Sequence, residues 1–271
     1  MRVAVSNIAW ERAEEPDVLA LLEHRGVHGL EVAPTQVWDE PTAVPPAELQ
    51  AARRRWNDRG LQVVALQALL FGKPSYVIFG EPGAREACFE HLAQMIRLGG
   101  LLGAGALVFG SPRNRAIGGL PLAAALEIAV PFFRRLGVVA QQEGTRLCIE
   151  PNPPAYGCDF IHTIDEAAEL VEAVDHPGFR LQLDVSAMTL NGEDYDAALG
   201  RGVPLAAHCH ASEPHLAPTG SGATDHARVA GRLRELAYAG WVSIEMRKGA
   251  APPNLPAVAS AVEFTLKTYG D

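Results

Sequence analysis

The segment NIAWERAEEP (residues 7–16) contains no glycine, and this decides between two folds for the chain. It begins at the end of the first predicted strand, Val3–Ile8, where an open doubly wound sheet most often carries a glycine-rich phosphate-binding turn. The glycine-rich run GGLLGAG (99–105) cannot take that place, because it precedes a predicted strand instead of following one. The sequence therefore disfavours a nucleotide-binding sheet and favours a closed barrel.

Beyond that loop, short strand-like runs alternate with longer helical patterns along the whole chain. Strict alternation implies parallel strands joined by right-handed crossovers. The 271 residues divide into eight units of about 34 residues, the size of one strand-and-helix repeat of a barrel. We therefore expect an α/β fold, a (β/α)8 TIM barrel that residues 1–271 form as a single domain. The predicted strands are residues 3–8, 29–34, 61–70, 106–111, 146–153, 179–185, 204–214 and 241–247, and the predicted helices are residues 16–24, 46–59, 84–98, 122–142, 163–175, 195–199, 225–238 and 255–269.

Three local signals bear on the helices. Gly99 and Gly100 follow the third helical pattern and predict that the helix stops there. Pro131 lies inside the fourth pattern and predicts a kink or a break. Thr163, with Glu166 three residues later, predicts a capping box at the start of the fifth helix.

The composition bounds the class of protein and its partners. The apolar fraction of 48% and the charged fraction of 20% are those of an ordinary globular protein with a large core. Acidic side chains outnumber basic ones by 32 to 23, which gives a formal net charge of −9 and disfavours nucleic acid as a partner. Homo-oligomerisation is left open.

Cysteine spacing and the apolar runs predict the cellular compartment of the protein. The four cysteines include no pair at C-x-x-C spacing, which fits reduced thiols better than a disulfide framework. The amino-terminal run MRVAVSNIAW has the pattern of a strand and not that of a signal peptide. The longest weakly polar run, residues 99–110, is too short to span a bilayer. We expect a cytoplasmic protein without a membrane partner.

Four polar side chains occupy equivalent places at the ends of predicted strands five to eight. Glu150, Asp184, His210 and Glu245 are separated by 34, 26 and 35 residues, each about one repeat. Strand ends converge on the barrel axis at the carboxyl face, so these side chains can meet around one point. Three carboxylates would repel one another there unless a divalent cation joined them. Oxygen donors and an imidazole suit Mn²⁺, which we favour, or Mg²⁺, Co²⁺ and Zn²⁺.

Six motifs carry a family resemblance, and they are IEPNP (149–153), QLDVSAM (182–188), HCHASEP (208–214), GWVSIEMR (240–247), SNIAW (6–10) and GLEVAP (29–34). Over essentially its whole length the chain resembles the xylose isomerase-like TIM-barrel superfamily of sugar-phosphate isomerases and epimerases. That superfamily includes ketose 3-epimerases, hydroxypyruvate isomerase, inosose dehydratase and, more distantly, endonuclease IV. The resemblance implies one divalent metal ion held by Glu150, Asp184, His210 and Glu245, with His210 as the second histidine of H-x-H.

The resemblance and the residue types together imply an activity. A divalent ion bound to a carbonyl and its neighbouring hydroxyl acidifies the C–H between them. One glutamate removes that proton to leave a cis-enediolate, and in the family's epimerases the two glutamate ligands act on opposite faces of the substrate. Glu150 and Glu245 are then the acid–base pair of an isomerase or epimerase that acts on a sugar or polyol.

Three other activities fit parts of the same pattern. A dehydratase of the inosose dehydratase type would use the same enediolate but expel a β-hydroxyl. A nuclease like endonuclease IV would need more histidines and acids at the first four strand ends, which are poor in histidine here. A non-catalytic barrel that binds sugar would be expected to lack one of the two acid–base residues. Both Glu150 and Glu245 are present, so this alternative is disfavoured.

The sequence departs from the ketose 3-epimerases at two positions. That subfamily usually carries a histidine three residues after the aspartate ligand, where this chain has Ala187. It also carries an arginine six residues after the histidine ligand, where this chain has Leu216. Both residues help to hold the substrate in that subfamily, so an ordinary ketohexose 3-epimerase is disfavoured and the substrate stays open. No strong phosphate-binding cluster is evident, and we favour an unphosphorylated substrate.

Other polar residues on the same predicted face are candidates for substrate contact, and each has a structural alternative. Arg247 lies two residues after Glu245 and faces the same side, which favours a substrate role. His208 lies two residues before His210, so its side chain points to the same side of the strand. It could form a hydrogen bond to a metal ligand, or it could be a polar residue of the barrel interior. His226, at a predicted helix start, fits capping as well as binding. The full set of candidates is Arg247, His208, Glu213, His215, His226, Glu31 and Asn7.

Overall fold

The computed structural model describes residues 1–249 and 252–270, and in this part of the chain eight parallel strands close into a barrel. Each strand pairs with the next one along the chain, and the eighth pairs with the first. The predicted (β/α)8 TIM barrel is thereby confirmed. The strands are β1 (Arg2–Ser6), β2 (Gly29–Val32), β3 (Gln62–Leu66), β4 (Ala106–Phe109), β5 (Leu147–Ile149), β6 (Phe179–Asp184), β7 (Ala206–Ser212) and β8 (Trp241–Glu245).

The helices of the described residues surround the barrel and number one more than predicted. The additional helix begins directly after β6, where the sequence VSAMTLN is too short to show a helical period. Its start is fixed by Asp184, whose side chain accepts a hydrogen bond from the Ala187 backbone N–H. The helices are α1 (Glu15–His24), α2 (Pro46–Asn57), α3 (Pro82–Leu102), α4 (Leu122–Gln142), α5 (Ile164–Val174), α6 (Val185–Asn191), α7 (Tyr195–Gly202), α8 (His226–Glu235) and α9 (Leu255–Tyr269).

The prediction that Gly99 and Gly100 end the third helix is wrong. Helix α3 continues through both and ends at Gly103, which takes the left-handed conformation with φ of 83°. Gly99 serves close packing instead, because a Cβ there would lie 2.9 Å from Cδ1 of Leu107 on β4. The two glycines therefore let the end of α3 approach its neighbours, and only Gly103 acts as a helix terminator.

The other two local signals had mixed outcomes. Helix α4 runs without interruption through Pro131, so a break there is excluded. Pro131 is exposed, and water can solvate the carbonyl that loses its helical partner. Thr163 caps α5 by accepting a hydrogen bond from the Glu166 N–H at 3.3 Å. The carboxylate of Glu166 accepts from the His162 N–H and not from that of Thr163, so only half of the predicted capping box forms.

The main apolar core lies between the strands and the surrounding helices. A group of aromatic rings joins α4 to the barrel: Phe133 stacks on Phe179 of β6 with centroids 4.7 Å apart and meets Phe109 of β4 edge-on at 5.6 Å. The four cysteines are free and buried. Among the described residues, no helix has both the length and the apolar character needed to cross a bilayer.

Replacement of Phe133 by alanine should destabilise the barrel strongly. The ring is fully buried, and its removal leaves a cavity between α4 and two strands, so we expect a loss of about 3–5 kcal/mol in the free energy of unfolding. Val138 on the same helix is 42% exposed, and V138A should change stability by less than about 0.5 kcal/mol. Chemical denaturation followed by circular dichroism measures both values. Equal effects of the two substitutions would contradict this packing assignment.

Candidate metal centre

Four side chains from neighbouring strand ends meet at the carboxyl face of the barrel. Glu150 follows β5 directly, Asp184 ends β6, His210 lies within β7, and Glu245 ends β8. One ligand atom from each lies within 4.8 Å of the others. The Nδ1 atom of His210 is 3.3 Å from Glu150 Oε1, 3.7 Å from Asp184 Oδ2 and 3.2 Å from Glu245 Oε2. The structure thus brings together the four residues whose spacing suggested a common point.

The chemistry of this cluster fits a divalent cation. Three carboxylates and one imidazole are hard and borderline donors of the kind that bind Mn²⁺, Mg²⁺, Co²⁺ or Zn²⁺. His210 Nδ1 and Glu150 Oε1 are buried, and neither has a hydrogen-bond partner within the described residues. Buried polar atoms of this kind are rare, because leaving them unpaired is costly. A cation between these atoms would satisfy both and would offset the repulsion among the carboxylates.

The backbone around Glu150 is shaped to receive its carboxylate. At Gly110, just after β4, a Cβ atom would collide with Glu150 Oε2, so a larger residue would displace the carboxylate. On the other side, Asn152 Nδ2 donates a hydrogen bond of 3.1 Å to the same oxygen. Oε2 is therefore held by the protein, and Oε1 is left to face His210.

Asp184 is fixed from three directions. Its Oδ1 accepts hydrogen bonds from Ser186 Oγ at 2.7 Å and from the Ala187 N–H at 2.6 Å, which caps α6. Its Oδ2 accepts from Ser212 Oγ at 3.1 Å, at the end of β7. Helix α6 thus places one ligand of the candidate centre, which gives a structural reason for the helix at this position.

Glu31, from β2, lies on the other side of the His210 ring. Its Oε1 is 3.0 Å from His210 Nε2, and its Oε2 is 3.4 Å from His208 Nε2. All three side chains are almost completely buried and also form a compact group of potential ligands. Because a carboxylate only accepts, His210 Nε2 carries a proton, and Nδ1 is the nitrogen turned towards the three acids. Glu31 therefore orients the imidazole.

In the absence of a cation, the buried ionisable groups strongly shift one another's pKa values. Burial alone would lower the pKa of His210, but the nearby carboxylates of Glu245, Glu31, Asp184 and Glu150 raise it well above its ordinary value. Burial would likewise raise the pKa of Glu31, but the charges of His210 and His208 hold it well below its usual range. Burial raises the pKa of Glu245 to about 7, although His210 acts in the opposite direction. His210 is thus the positive partner of the surrounding acids.

A cavity of about 460 Å³ opens above the cluster, and we call it the metal-centre cavity. Its volume is in the range of ordinary small-molecule sites. Three of the four cluster residues line it, and His210 lies buried beneath them. The lining residues are Ser111, Pro112, Glu150, Asn152, Tyr156, Asp184, Ser186, His215, Leu216, Glu245 and Arg247.

The candidates for substrate contact fall into three groups. Arg247 and His215 line the metal-centre cavity. His208, Glu31 and Asn7 lie buried outside its lining. Asn7 joins β1 to β2 by accepting a hydrogen bond of 2.7 Å from the Ala33 N–H.

Glu213 and His226 form a separate buried group under the loop between β7 and α8. Glu213 accepts hydrogen bonds from the backbone N–H groups of Gly222 at 3.1 Å and Thr224 at 3.4 Å. His226 lies between Glu213, 3.3 Å from its Nε2, and the hydroxyl of Tyr269, 2.6 Å from its Nδ1. These contacts hold the loop and the carboxyl-terminal helix together, and neither residue lines the metal-centre cavity.

Sequence reasoning did not single out five of the lining residues. Ser111 and Pro112 lie in the loop after β4, and Asn152 and Tyr156 in the loop after β5. Ser186 lies two residues after Asp184. Asn152 and Ser186 belong to the quoted motifs IEPNP and QLDVSAM, so the signal was present. Tyr156 had none, because its position depends on how the loop folds back towards His215.

The family assignment rests on a match over most of the sequence. The family model described as xylose isomerase-like TIM barrel matches residues 19–268. The chain belongs to this family. No curated protein matches the sequence significantly.

Solved structures share the fold of this family member at low sequence identity. A D-psicose 3-epimerase crystallised with D-fructose has a TM-score of 0.83 and 17% identity, with 100% of both chains covered. The IOLI protein with a bound zinc atom has a TM-score of 0.80 and 18% identity, covering 99% of this chain and 98% of that one. The probable 3-DHS dehydratase AsbF from Bacillus anthracis has a TM-score of 0.73 and 15% identity, covering 98% and 99%. Likeness at this identity establishes the fold alone.

Replacement of Glu31 by glutamine should weaken metal binding although Glu31 is not among the four facing donors. Glutamine keeps the size of the side chain but carries no charge, and its amide can donate as well as accept, so the imidazole loses a partner that can only accept its proton. We expect the affinity for Mn²⁺ to fall about 10- to 100-fold, as measured by calorimetric titration. Glu90→Gln on the exposed face of α3 is the matched control and should bind as the parent does. A correctly folded Glu31→Gln variant with unchanged affinity would exclude the orienting role.

Metal binding should release protons near neutral pH. Without metal, the raised pKa of His210 keeps that side chain protonated, and Glu245, with a pKa of about 7, is partly protonated. Both groups bind a cation only after losing those protons, so we expect about one proton or more to leave per ion, and affinity to rise as the pH is raised through 7. Calorimetry in two buffers of different ionisation enthalpy measures the number. Equal heats in both buffers would contradict the protonation states described above.

Proposed function

We propose that the protein is a divalent-metal-dependent isomerase or epimerase of a sugar or polyol that carries a carbonyl next to a hydroxyl. The observation that carries the proposal is the pair of carboxylates Glu150 and Glu245. They enter the metal-centre cavity from β5 and β8, and each has an oxygen within 3.3 Å of the Nδ1 atom of His210. The shared fold with a D-psicose 3-epimerase supports a carbohydrate as the substrate class.

Such a pair can move a proton between two faces of a substrate. A bound divalent ion, held by the four cluster residues, would supply the Lewis acidity that makes the C–H beside the carbonyl acidic. One carboxylate accepts that proton and leaves an enediolate. The other glutamate, in its protonated form, gives a proton from the opposite face, which inverts the carbon. Alternatively, the first glutamate returns its proton to the neighbouring carbon while the hydroxyl proton passes to the former carbonyl oxygen, which moves the carbonyl. No group leaves the substrate in either case.

The surrounding residues prepare the two carboxylates for this role. Asn152 and the narrow space at Gly110 hold Glu150 Oε2, so that its other oxygen, Oε1, faces His210. Both acids lie at the floor of the cavity with about a tenth of each side chain exposed, 11% for Glu150 and 12% for Glu245. Limited access of water strengthens the electrostatic interactions of these carboxylates with a bound substrate.

Proton exchange in D₂O tests the proposal. Metal-loaded protein is incubated with a panel of ketoses, ketose phosphates and keto sugar acids, and deuterium beside the carbonyl is followed by NMR. We expect incorporation with at least one compound and a fall of about 10²- to 10⁴-fold in Glu150→Gln and in Glu245→Gln at matched metal content. Glu127→Gln, on the exposed side of α4, is the matched control and should exchange at the parental rate.

The possible results separate the activities. Incorporation without loss of water supports an isomerase or epimerase, and the position of the deuterium tells which of the two. Formation of a deoxy product identifies a dehydratase. A full exchange rate in Glu150→Gln would exclude the assigned role of that residue, and absence of exchange over the whole panel would contradict the proposed function.

A further inference from the structure

Arg247 places an unpaired positive charge at the metal-centre cavity. Its side chain is exposed and lines the cavity, and its guanidinium makes no hydrogen bond or ion pair with any described residue. The next residue, Lys248, differs in this respect, because its Nζ atom lies 2.6 Å from Glu11 Oε2. Of these two adjacent cations, only Arg247 is available to a ligand.

The backbone at this place is tied to two neighbouring loops. The Arg247 N–H donates a hydrogen bond of 3.0 Å to the Leu216 carbonyl in the loop after β7. The His215 N–H donates in turn to the Tyr156 hydroxyl at 2.8 Å, in the loop after β5. Both His215 and Leu216 hold positive φ angles, 61° and 57°, which non-glycine residues adopt only where the surroundings enforce them. The base of the Arg247 side chain is therefore fixed relative to the cavity.

The negative and positive charges around the metal-centre cavity lie in different parts of it. Glu150, Asp184 and Glu245 form the floor, and among the described residues of the lining Arg247 is the only arginine or lysine. Arg247, His215 and Leu216 also line a neighbouring cavity of about 850 Å³. These three residues thus form the boundary between the two cavities, where the end of a substrate remote from the carboxylate floor would lie.

We propose that the substrate is a keto sugar acid whose carboxylate binds Arg247, while its carbonyl and hydroxyl end faces the four cluster residues. This inference rests on the proposed function. A neutral polyol gains little from a free guanidinium, whereas the planar fork of arginine matches a carboxylate with two parallel hydrogen bonds. A carboxylate is favoured over a phosphate because the described residues of the lining supply a single arginine and no lysine, and the amino terminus of α6 at this cavity is already capped by the Asp184 carboxylate.

Calorimetric binding to the metal-loaded protein tests the substrate class without requiring turnover. The ligands are D-fructose and D-tagatose, the ketohexuronates that carry a carboxylate in place of the terminal CH₂OH of each, and the corresponding 6-phosphates. We expect at least one ketohexuronate to bind about ten-fold or more tightly than its neutral counterpart and than its phosphate. We also expect this preference to weaken at high ionic strength, since Arg247 is exposed.

Variants of the two adjacent cations assign the preference to one residue. Arg247→Met should remove most of the preference for the ketohexuronate, and Arg247→Lys should restore part of it. Lys248→Met is the matched control, because Lys248 is paired with Glu11, and it should keep the parental preference. Metal content is measured in every variant, so that a change in the metal centre is not mistaken for a change in carboxylate binding.

Each result decides for or against the inference. Equal or weaker binding of the ketohexuronates, preference for the phosphates, or a preference that survives Arg247→Met would overturn it. Arg247-dependent binding of a ketohexuronate without deuterium exchange would support the inference and count against the proposed function. Exchange on neutral ketoses with no preference for the acids would do the reverse.

Discussion

The position of the His210 imidazole between four carboxylates is the interaction on which the polar interior of this barrel depends. Glu31 lies on its Nε2 side, and Glu150, Asp184 and Glu245 lie on its Nδ1 side. Burying any of these acids without a counter-charge would be unfavourable by several kcal/mol, and their mutual repulsion adds to that. In the metal-free protein, the positive charge of a protonated His210 offsets part of the cost of burying these acids. A divalent cation would supply the counter-charge on the Nδ1 side instead.

The elements around the centre can be understood as consequences of that arrangement. Asp184 ends β6 and caps α6 with the same carboxylate, so the helix and the ligand are positioned together. Gly110 leaves room for the Glu150 carboxylate, and Asn152 holds it. The loops after β5, β7 and β8 are linked through Tyr156, His215, Leu216 and Arg247 into one rim. The barrel strands thus place the charged side chains, and the loops after them determine how those side chains are oriented.

The sequence was sufficient for the barrel and for the four facing residues because both follow from one repeat. Strand ends in a barrel share one face, so residues such as Asp184 and His210 that end successive units must be neighbours, as their register confirms. Other features depend on packing that no local pattern encodes. The extra helix α6 is shorter than two helical periods, and Gly99 stands against Leu107 in a contact that a sequence signal cannot distinguish from a helix stop.

Long-range contacts set a second limit on prediction. Glu31 and His210 are separated by 179 residues, and only the closed barrel shows that one orients the other. The sequence places Glu213 and His226 at the same carboxyl face of the barrel. In the structure, however, both side chains stabilise a loop. A residue's strand end therefore predicts its face of the barrel, whereas its side-chain partner depends on the path of the loop above it.

One of the two departures from the ketose 3-epimerase pattern, Leu216, has a structural counterpart at the rim. By the resemblance, that subfamily carries an arginine at the position of Leu216, whereas this chain has leucine there and an arginine at 247. The Leu216 carbonyl accepts the hydrogen bond of the Arg247 N–H, so the two positions are adjacent in space although they lie on successive loops. A positive charge beside the cavity is thus retained but supplied from the loop after β8.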